Sequence, residues 1–440
     1  MRGVVQPVGE SLPESERRGA TRVTIRSAPQ RFVETWIDAT VGFFFCVVLP
    51  IPIYATGAPF AGAFGGTEQT IVATALAYVI AWYCGRRVNA FPGTTVHFSV
   101  GYTAPVVVIT FASIAVLLLI LRSDYSRVQL LGSGILTIIW MAFASWVRGR
   151  YLMRTYAVVP SELVAALPAL PTCRWLTFEE VEQHQIRADA IVADLNADLD
   201  KDQLAALTGG AIAGVPVLDR RYILENLRGR TPFSGLTPNE FGALLPSRQY
   251  LLVRRTLELA LTIAALPVML PVLILLACLV RSDSTGPIFF SQQRVGRQGR
   301  VFHMFKFRTM RPSAEGPSFT EVDDPRITKV GTVLRRYRLD ELPQMLNVLR
   351  GDMSWVGPRP EALELNRNYV RDIPHFALRN IVRPGVTGWA QVNQGYTHDD
   401  DGMRAKLEYD LFYLKHCSLW LDVAIVLRTV TAIAFGRGAR

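Results

Sequence analysis

Four apolar segments in the first third of the chain limit its fold more than any other feature. They run approximately from Trp36 to Tyr54, Thr70 to Cys84, Tyr102 to Leu121 and Val128 to Val147. A helix crossing bilayer hydrocarbon needs about 20 apolar residues; each segment is near that length, the second being the shortest. Backbone inside lipid must satisfy its own polar groups, so such segments are expected as helices. Arginines precede the first segment, Arg86 and Arg87 follow the second, and Arg148, Arg150 and Arg154 follow the fourth. The connection from Ala55 to Glu68 holds no Lys or Arg. Positive charge stays on the cytoplasmic side, so both ends of this bundle are expected to face the cytoplasm. Arg122 and Arg127 weaken the asymmetry without reversing it. Asp38 is the main charge inside the spans and lies near an end, which disfavours a transporter. Residues 1–31 are polar and Arg-rich; with no apolar core close behind Met1, a cytoplasmic tail is expected rather than a cleaved signal peptide.

Half of the 440 residues are hydrophobic, and the formal net charge is +10. The mean hydropathy of +0.22 is high for a soluble protein. A basic excess fits nucleic acid, an anionic membrane surface or phosphate-bearing substrates. No zinc-finger spacing, RNA-binding motif or base-reading basic helix occurs, so nucleic acid is the weakest of the three. The five cysteines are scattered without a C-x-x-C pair, which indicates neither a disulfide framework nor a metal site. The six dispersed histidines read as structural.

From 151 to 228 the pattern alternates. Thr155–Val159, Ala188–Leu195 and Gly214–Asp219 read as short buried strands, with helices at Ser161–Leu167 and Asp200–Leu207. This alternation predicts a small Rossmann-like α/β domain. Pro160 and Ser161 stand where a dinucleotide-binding glycine loop belongs, so a structural or regulatory role is preferred over nucleotide binding. Asp198-Leu199-Asp200 could be the metal-binding D-x-D of a nucleotide-sugar glycosyltransferase, but a solvated helix start is preferred. Residues 229–248, rich in Pro, Gly and Ser, read as a linker.

A fifth apolar stretch, Thr256–Val280, lies between Arg254–Arg255 and Arg281. Its length allows a single crossing. Basic residues at both ends argue against one, and Pro267 and Pro271 allow a broken helix that enters and leaves on one face. Gly286–Arg300 then returns to a basic turn at the membrane surface. Leu419–Phe435 reads as an interfacial helix or, nearly as well, a core helix.

The chemistry-bearing stretch runs from Thr332 to Pro360. Asp340 and Glu341 follow Arg335, Arg336 and Arg338, and Pro343 comes two residues later, suited to a first helical turn. Leu342, Met345, Leu346 and Leu349 then recur at helical spacing up to Gly351, a C-cap. The carboxylates are thus expected where a helix begins, beside unpaired N–H groups that favour anions. Adjacent residues on a helix point about 100° apart, so the two can do different work. One can attack phosphorus and the other can hold Mg2+, a hard ion that shares oxygen ligands with substrate phosphates. Alone, such a pair reads better as an exposed cap beside an arginine cluster, since acidic first turns are common. The run Asp399–Asp401 reads as a solvated loop rather than a second metal site.

Five segments occur in order: KFRTM (Lys306–Met310), DDPRITKVG (Asp323–Gly331), LDELPQ (Leu339–Gln344), NVLRGDMSWVGPRP (Asn347–Pro360) and RPGVTGWAQVN (Arg383–Asn393). Together they resemble the catalytic domain of the bacterial sugar transferases, the monotopic polyprenyl-phosphate phosphoglycosyltransferases, over about Gln249 to Arg440. The resemblance implies transfer of a sugar-1-phosphate from a UDP-sugar to undecaprenyl phosphate with release of UMP. Asp340 would be the nucleophile that forms an aspartyl-phosphosugar, and Glu341 the ligand of Mg2+. Lys306, Arg308, Arg326, Arg335, Arg359 and Arg383 would bind substrate, Arg359 gripping a phosphate from a proline-stiffened loop. It also implies a re-entrant helix whose break carries a Ser-Pro pair; Pro271 matches the proline, and Leu270 replaces the serine.

The expected fold is therefore a membrane α-helical bundle of four transmembrane helices (32–150), a small Rossmann-like α/β domain (151–228), a linker (229–248) and an α-rich monotopic catalytic domain with a re-entrant helix (249–440). The expected partners are a UDP-sugar, undecaprenyl phosphate, the bilayer and, in a homo-oligomer, further copies of the chain, with no nucleic acid. The expected location is the bacterial inner membrane with the active site facing the cytoplasm. Architecture points to glucose- or galactose-phosphate as the transferred group, in the initiating step of exopolysaccharide, capsule or O-antigen synthesis. The rival expectations are a glycosyltransferase that releases UDP and a non-catalytic membrane scaffold for polysaccharide assembly.

Overall fold

The computed structural model describes residues 28–50, 67–89, 96–123, 125–151, 154–159, 173–177, 180, 188–195, 197–212, 215–233, 242, 244–311, 324–394 and 400–434. Expectations for the tail before residue 28, most of the Ala55–Glu68 connection, the Ser161–Leu167 helix, much of the linker and Asp399 lie outside these residues. The chain forms two compact units, Met1–Arg86 with Thr94–Leu227, and Arg87–Gly93 with Arg228–Arg440.

The first unit begins with α1 (Ala28–Phe43), which runs on through a π-helical turn, Phe44–Val48. Then come α2 (Thr67–Asn89), α3 (Val96–Ile120) and α4 (Arg127–Tyr151). Within it, Thr103–Ile120 and Arg127–Val147 are long and apolar enough to cross a membrane; Thr35–Val48 is a shorter apolar helix. The second expected span forms α2, 23 residues long but less apolar, and its small residues Ala73, Ala77 and Ala81 pack against Val107, Phe111 and Met141. Small side chains let helix backbones approach closely, the usual way helices associate without a hydrophobic drive. The charge at Asp38 is met by Arg86 at 3.3 Å.

Four short strands follow: β1 (Arg154–Val158), β2 (Cys173–Thr177), β3 (Ala190–Ala193) and β4 (Val217–Asp219). They form an all-parallel sheet in the order β2-β1-β3-β4. Every residue of β3 is buried, as in parallel sheets covered on both faces. Helix α5 (Lys201–Ile212) lies close to the sheet at Gly210, where a Cβ would fall 2.1 Å from Ile191 Cδ1. Asp200 accepts from the Gln203 amide at 2.7 Å, so the Asp198–Asp200 cluster is a helix cap. Helix α6 (Arg220–Arg228) follows β4.

The second unit opens with α7 (Arg248–Asp283), continuous through Pro267 and Pro271. The hairpin β5 (Phe289–Val295) and β6 (Val301–Phe307) follows. Next come α8 (Lys329–Arg336), a 3-10 turn Leu339–Glu341, α9 (Gln344–Arg350) and β7 (Ser354–Val356). Helix α10 (Leu363–Asp372) leads to β8 (Gly385–Thr387), parallel to β7, then to α11 (Trp389–Asn393), α12 (Asp400–Lys415) and α13 (Leu419–Ala434). The core gathers Trp389, Leu407, Phe412 and Tyr413 against Leu421 and Ile425. Helix α13 is thus a core helix on that face, while Val423, Val426 and Val430 stay exposed on the other.

Among the described residues, the fully buried side chains of α7 lie near its two ends. Arg254, Glu258 and Thr262 are buried near the first, Leu276 and Val280 near the second. Between them Leu261, Ile263, Val268, Leu270, Ile274 and Leu275 are exposed. The first end docks on β7, where Trp355 Nε1 donates to Thr262 Oγ1 at 2.8 Å. The second packs on Phe307 and Leu334, and Asp283 accepts from the Val330 amide at 2.8 Å.

Strands β7 and β8 meet at a glycine crossing. A Cβ on Gly385 would fall 2.2 Å from Gly357 N and 2.4 Å from Thr387 O. Backbone cannot yield as a flexible side chain can. We expect Gly385→Ala to cost about 3 kcal/mol and to lower the melting temperature by several degrees in a thermal scan.

Candidate active site

Asp340 and Glu341 are 8% and 7% exposed, so neither is a solvated surface cap. They lie in the 3-10 turn before α9 rather than in its first α-turn, because Arg338 takes a left-handed conformation (φ 54°) and reverses the chain after α8. Pro343 and Gly351 (φ 90°) bound α9 at the positions expected of them. Asn347, fully buried on α9, donates to His303 O at 2.7 Å and accepts from the Phe305 amide at 3.0 Å. Those two bonds lash α9 to β6 and bring Lys306 over the carboxylates.

Glu341 Oε1 receives Lys306 Nζ at 3.1 Å and Arg359 Nη2 at 2.7 Å. Burial raises its pKa, but Arg359 and Lys306 outweigh that and hold the carboxyl well below the usual range. Among the described residues Asp340 makes one ion pair, with Lys306 at 3.9 Å from Oδ2. Burial pushes its pKa above the ordinary value, with Lys306 opposing. Two adjacent carboxylates thus sit in different electrostatic states: one clasped by cations, the other less stabilised as an anion.

The other expected site residues divide. Arg335 Nε donates to Thr309 Oγ1 at 2.9 Å, on the flank of the pair. Arg326 is bound to Asp324 at 2.6 Å. Arg308 donates to Ser284 O and Oγ at 2.7 and 2.8 Å, and its Nε and Nη1 are buried without a partner. Arg383 stands apart: it donates to Gly351 O at 2.9 Å, at the far end of α9 from the carboxylates. Arg359 is held from behind, Arg379 Nη2 donating to its carbonyl at 2.9 Å and Arg294 to Pro360 O at 3.1 Å.

Two groups went unnoticed in the sequence. Gln344, 1% exposed and four residues after Asp340, buries both amide atoms without a partner; it sits in the LDELPQ segment, which was its only signal. Arg254 and Glu258 pair at 3.1 Å, and the i,i+4 spacing of opposite charges at the edge of an apolar run marked them.

Among the described residues no three His, Cys, Asp or Glu side chains could together cage a metal. Asp340 and Glu341 still suit Mg2+, which takes one or two carboxylates and completes its shell from water and substrate phosphates.

Residues 249–436 match the family described as bacterial sugar transferase. The chain is 37% identical over 375 residues to the UDP-N-acetylgalactosamine-undecaprenyl-phosphate N-acetylgalactosaminephosphotransferase of Aeromonas hydrophila, covering 84% of this chain and 88% of that one. It is 44% identical over 190 residues to the UDP-glucose:undecaprenyl-phosphate glucose-1-phosphate transferase of Xanthomonas campestris pv. campestris, covering 42% of this chain and 39% of that one. It is 38% identical over 197 residues to the exopolysaccharide production protein PSS of Rhizobium leguminosarum bv. phaseoli, covering 43% of this chain and 98% of that one. The chain belongs to the bacterial sugar transferase family, in the form that carries an N-terminal extension.

Proposed function

We propose that this enzyme transfers a hexose-1-phosphate from a UDP-sugar to undecaprenyl phosphate and releases UMP, the initiating step of a surface polysaccharide. The observation that carries it is the split character of the buried pair: Glu341 clasped by Lys306 and Arg359, Asp340 less stabilised as an anion. An Asp340 oxygen attacks the β-phosphorus, the bond to the bridging oxygen breaks, and UMP leaves with that electron pair. An oxygen of the lipid phosphate then attacks the same phosphorus, and the bond to Asp340 breaks, restoring the carboxylate. Two displacements let a soluble donor and a membrane-held acceptor use one site in turn. Lys306 and Arg359 offset charge on the diphosphate, and Arg335 stands ready beside them. Asp340 and Glu341 would hold Mg2+, which when bound supplies further charge neutralisation at the diphosphate.

The same reading places the catalytic unit on the cytoplasmic face. Both ends of α7 are held by one globular unit and its exposed middle is apolar, which supports a helix that dips into the membrane and returns; Pro267 and Pro271 are the positions at which the helix would bend. In the N-terminal extension we take α1 to α4 as four spans. The β2-β1-β3-β4 order supports a Rossmann-like domain, as in doubly wound sheets.

The test is purified protein in lipid discs with Mg2+, undecaprenyl phosphate and separately UDP-glucose, UDP-galactose and UDP-N-acetylgalactosamine. UMP formed with one sugar, and stopped by chelating divalent cations, is the expected result. UDP as the product would make it a glycosyltransferase, and no product with any donor would favour the scaffold.

A further inference from the structure

A second cluster of positive charge lies away from the carboxylates, at the other end of α9. A small open cleft lies there between the start of α7, the turn after β5 and the segment before β8, and four arginines line it. Arg254 is taken up by Glu258 at 3.1 Å and Asp422 at 3.5 Å. Arg255, Arg297 and Arg383 make no ion pair among the described residues. Arg255 donates only to Val348 O and Leu349 O, Arg383 only to Gly351 O, and Arg297 Nε is buried without any partner. Three guanidiniums converging on one cleft repel each other unless an anion joins them. Burial lowers the pKa of Arg383, and Arg255 and Arg297 lower it further.

The cleft also lies where the exposed apolar part of α7 begins. Leu252, Val253 and Leu257, on the helical turns that carry Arg254 and Arg255, are exposed, and the apolar middle of α7 follows directly. A seven-residue helix spans about 10 Å, so an anion in the cleft is beside the reacting carboxylates, not among them.

We propose that Arg255, Arg297 and Arg383 form a non-catalytic site for the phosphate of a membrane lipid, holding the catalytic unit at the height of the headgroups. A tetrahedral phosphate suits several guanidinium forks at once, and the neighbouring apolar turns accommodate the acyl chains. The inference rests on the membrane placement of α7 given above.

The experiment uses the full chain reconstituted in phosphatidylcholine discs doped with phosphatidylglycerol, then moved to mild detergent and weighed by native mass spectrometry. The wild type is expected to retain a phosphatidylglycerol molecule. Arg297→Gln with Arg255→Gln should lower its affinity about tenfold or more, as expected for losing charge-assisted bonds, and Arg297→Lys should retain it. Arg297 makes no bond within the chain that its removal would break, and a matching melting temperature for Arg297→Gln alone verifies folding. Competition with undecaprenyl phosphate and with inorganic phosphate separates the sources. Displacement by either lipid at low concentration supports the site. Displacement by inorganic phosphate alone, no retained lipid, or retention indifferent to the variants overturns it. Flotation with the same vesicles is run in parallel: a chain that fails to float sinks the membrane placement, whereas one that floats but keeps no lipid sinks only this inference.

Discussion

Replacing Asp340 by asparagine is expected to abolish turnover, by roughly 10^4-fold or more, while leaving the protein at least as stable as the wild type. An amide of the same shape cannot attack phosphorus, so the covalent step is lost. Stability follows from the sign of the pKa shift. Burial raises the Asp340 pKa on folding, so the folded chain holds that proton more tightly than the unfolded one. The resulting stability is present at low pH and is lost as pH rises and the group ionises. Asparagine stays neutral at every pH, so the variant should melt no lower than the wild type at neutral pH. The wild-type rate should fall on its acid side at a pH above that of an ordinary aspartate. Single-turnover UMP release together with thermal melting checks both halves. Normal UMP release from the variant would refute the covalent mechanism.

The second large effect is structural. Arg254 donates to Glu258, to Tyr413 Oη at 2.7 Å and to Tyr250 Oη at 3.3 Å, and reaches Ser354 Oγ and Val356 O at close range. Both tyrosines in turn donate to Asp422, at 2.7 and 2.8 Å. One guanidinium therefore joins α7, β7, α12 and α13. Arg254→Met would leave Glu258 and Asp422 buried without it, a situation that costs about 3–5 kcal/mol. We expect a large drop in melting temperature in detergent, partly recovered by adding Glu258→Leu. An unchanged melting temperature for the single variant would show that the network is not what fastens the helix.

These two residues show what could be read from the chain in advance and what could not. Local signals were legible: Pro343 and Gly351 bound α9 because proline suits a helix start and a left-handed glycine suits its end. The carboxylate pair stood out in the sequence, and the structure buries it, with Lys306 and Arg359 clasping Glu341. The Cys173–Thr177 strand was missed, because its mix of polar and apolar residues lacks both a continuous apolar run and a two-residue alternation. The separation of Arg383 from the other site arginines was also hidden. It depends on which end of α9 each loop meets, a tertiary fact with no trace in spacing. Asn347 and Gln344 look like ordinary polar residues of a short helix until burial shows that one is fully satisfied and the other is not.

The loop carrying Arg359 has a thermodynamic consequence. It is stiffened by Pro358 and Pro360 and tied by Arg379 and Arg294, and Arg379 is itself paired with Glu361 and Asp410 at 3.1 and 2.7 Å. On the function proposed above, a guanidinium carried on so firm a loop would lose little freedom when the donor diphosphate binds, and its field would not need rebuilding as charge shifts. The free energy of donor binding should therefore carry little entropic penalty from this loop, and the site's polarity should be nearly the same empty as full.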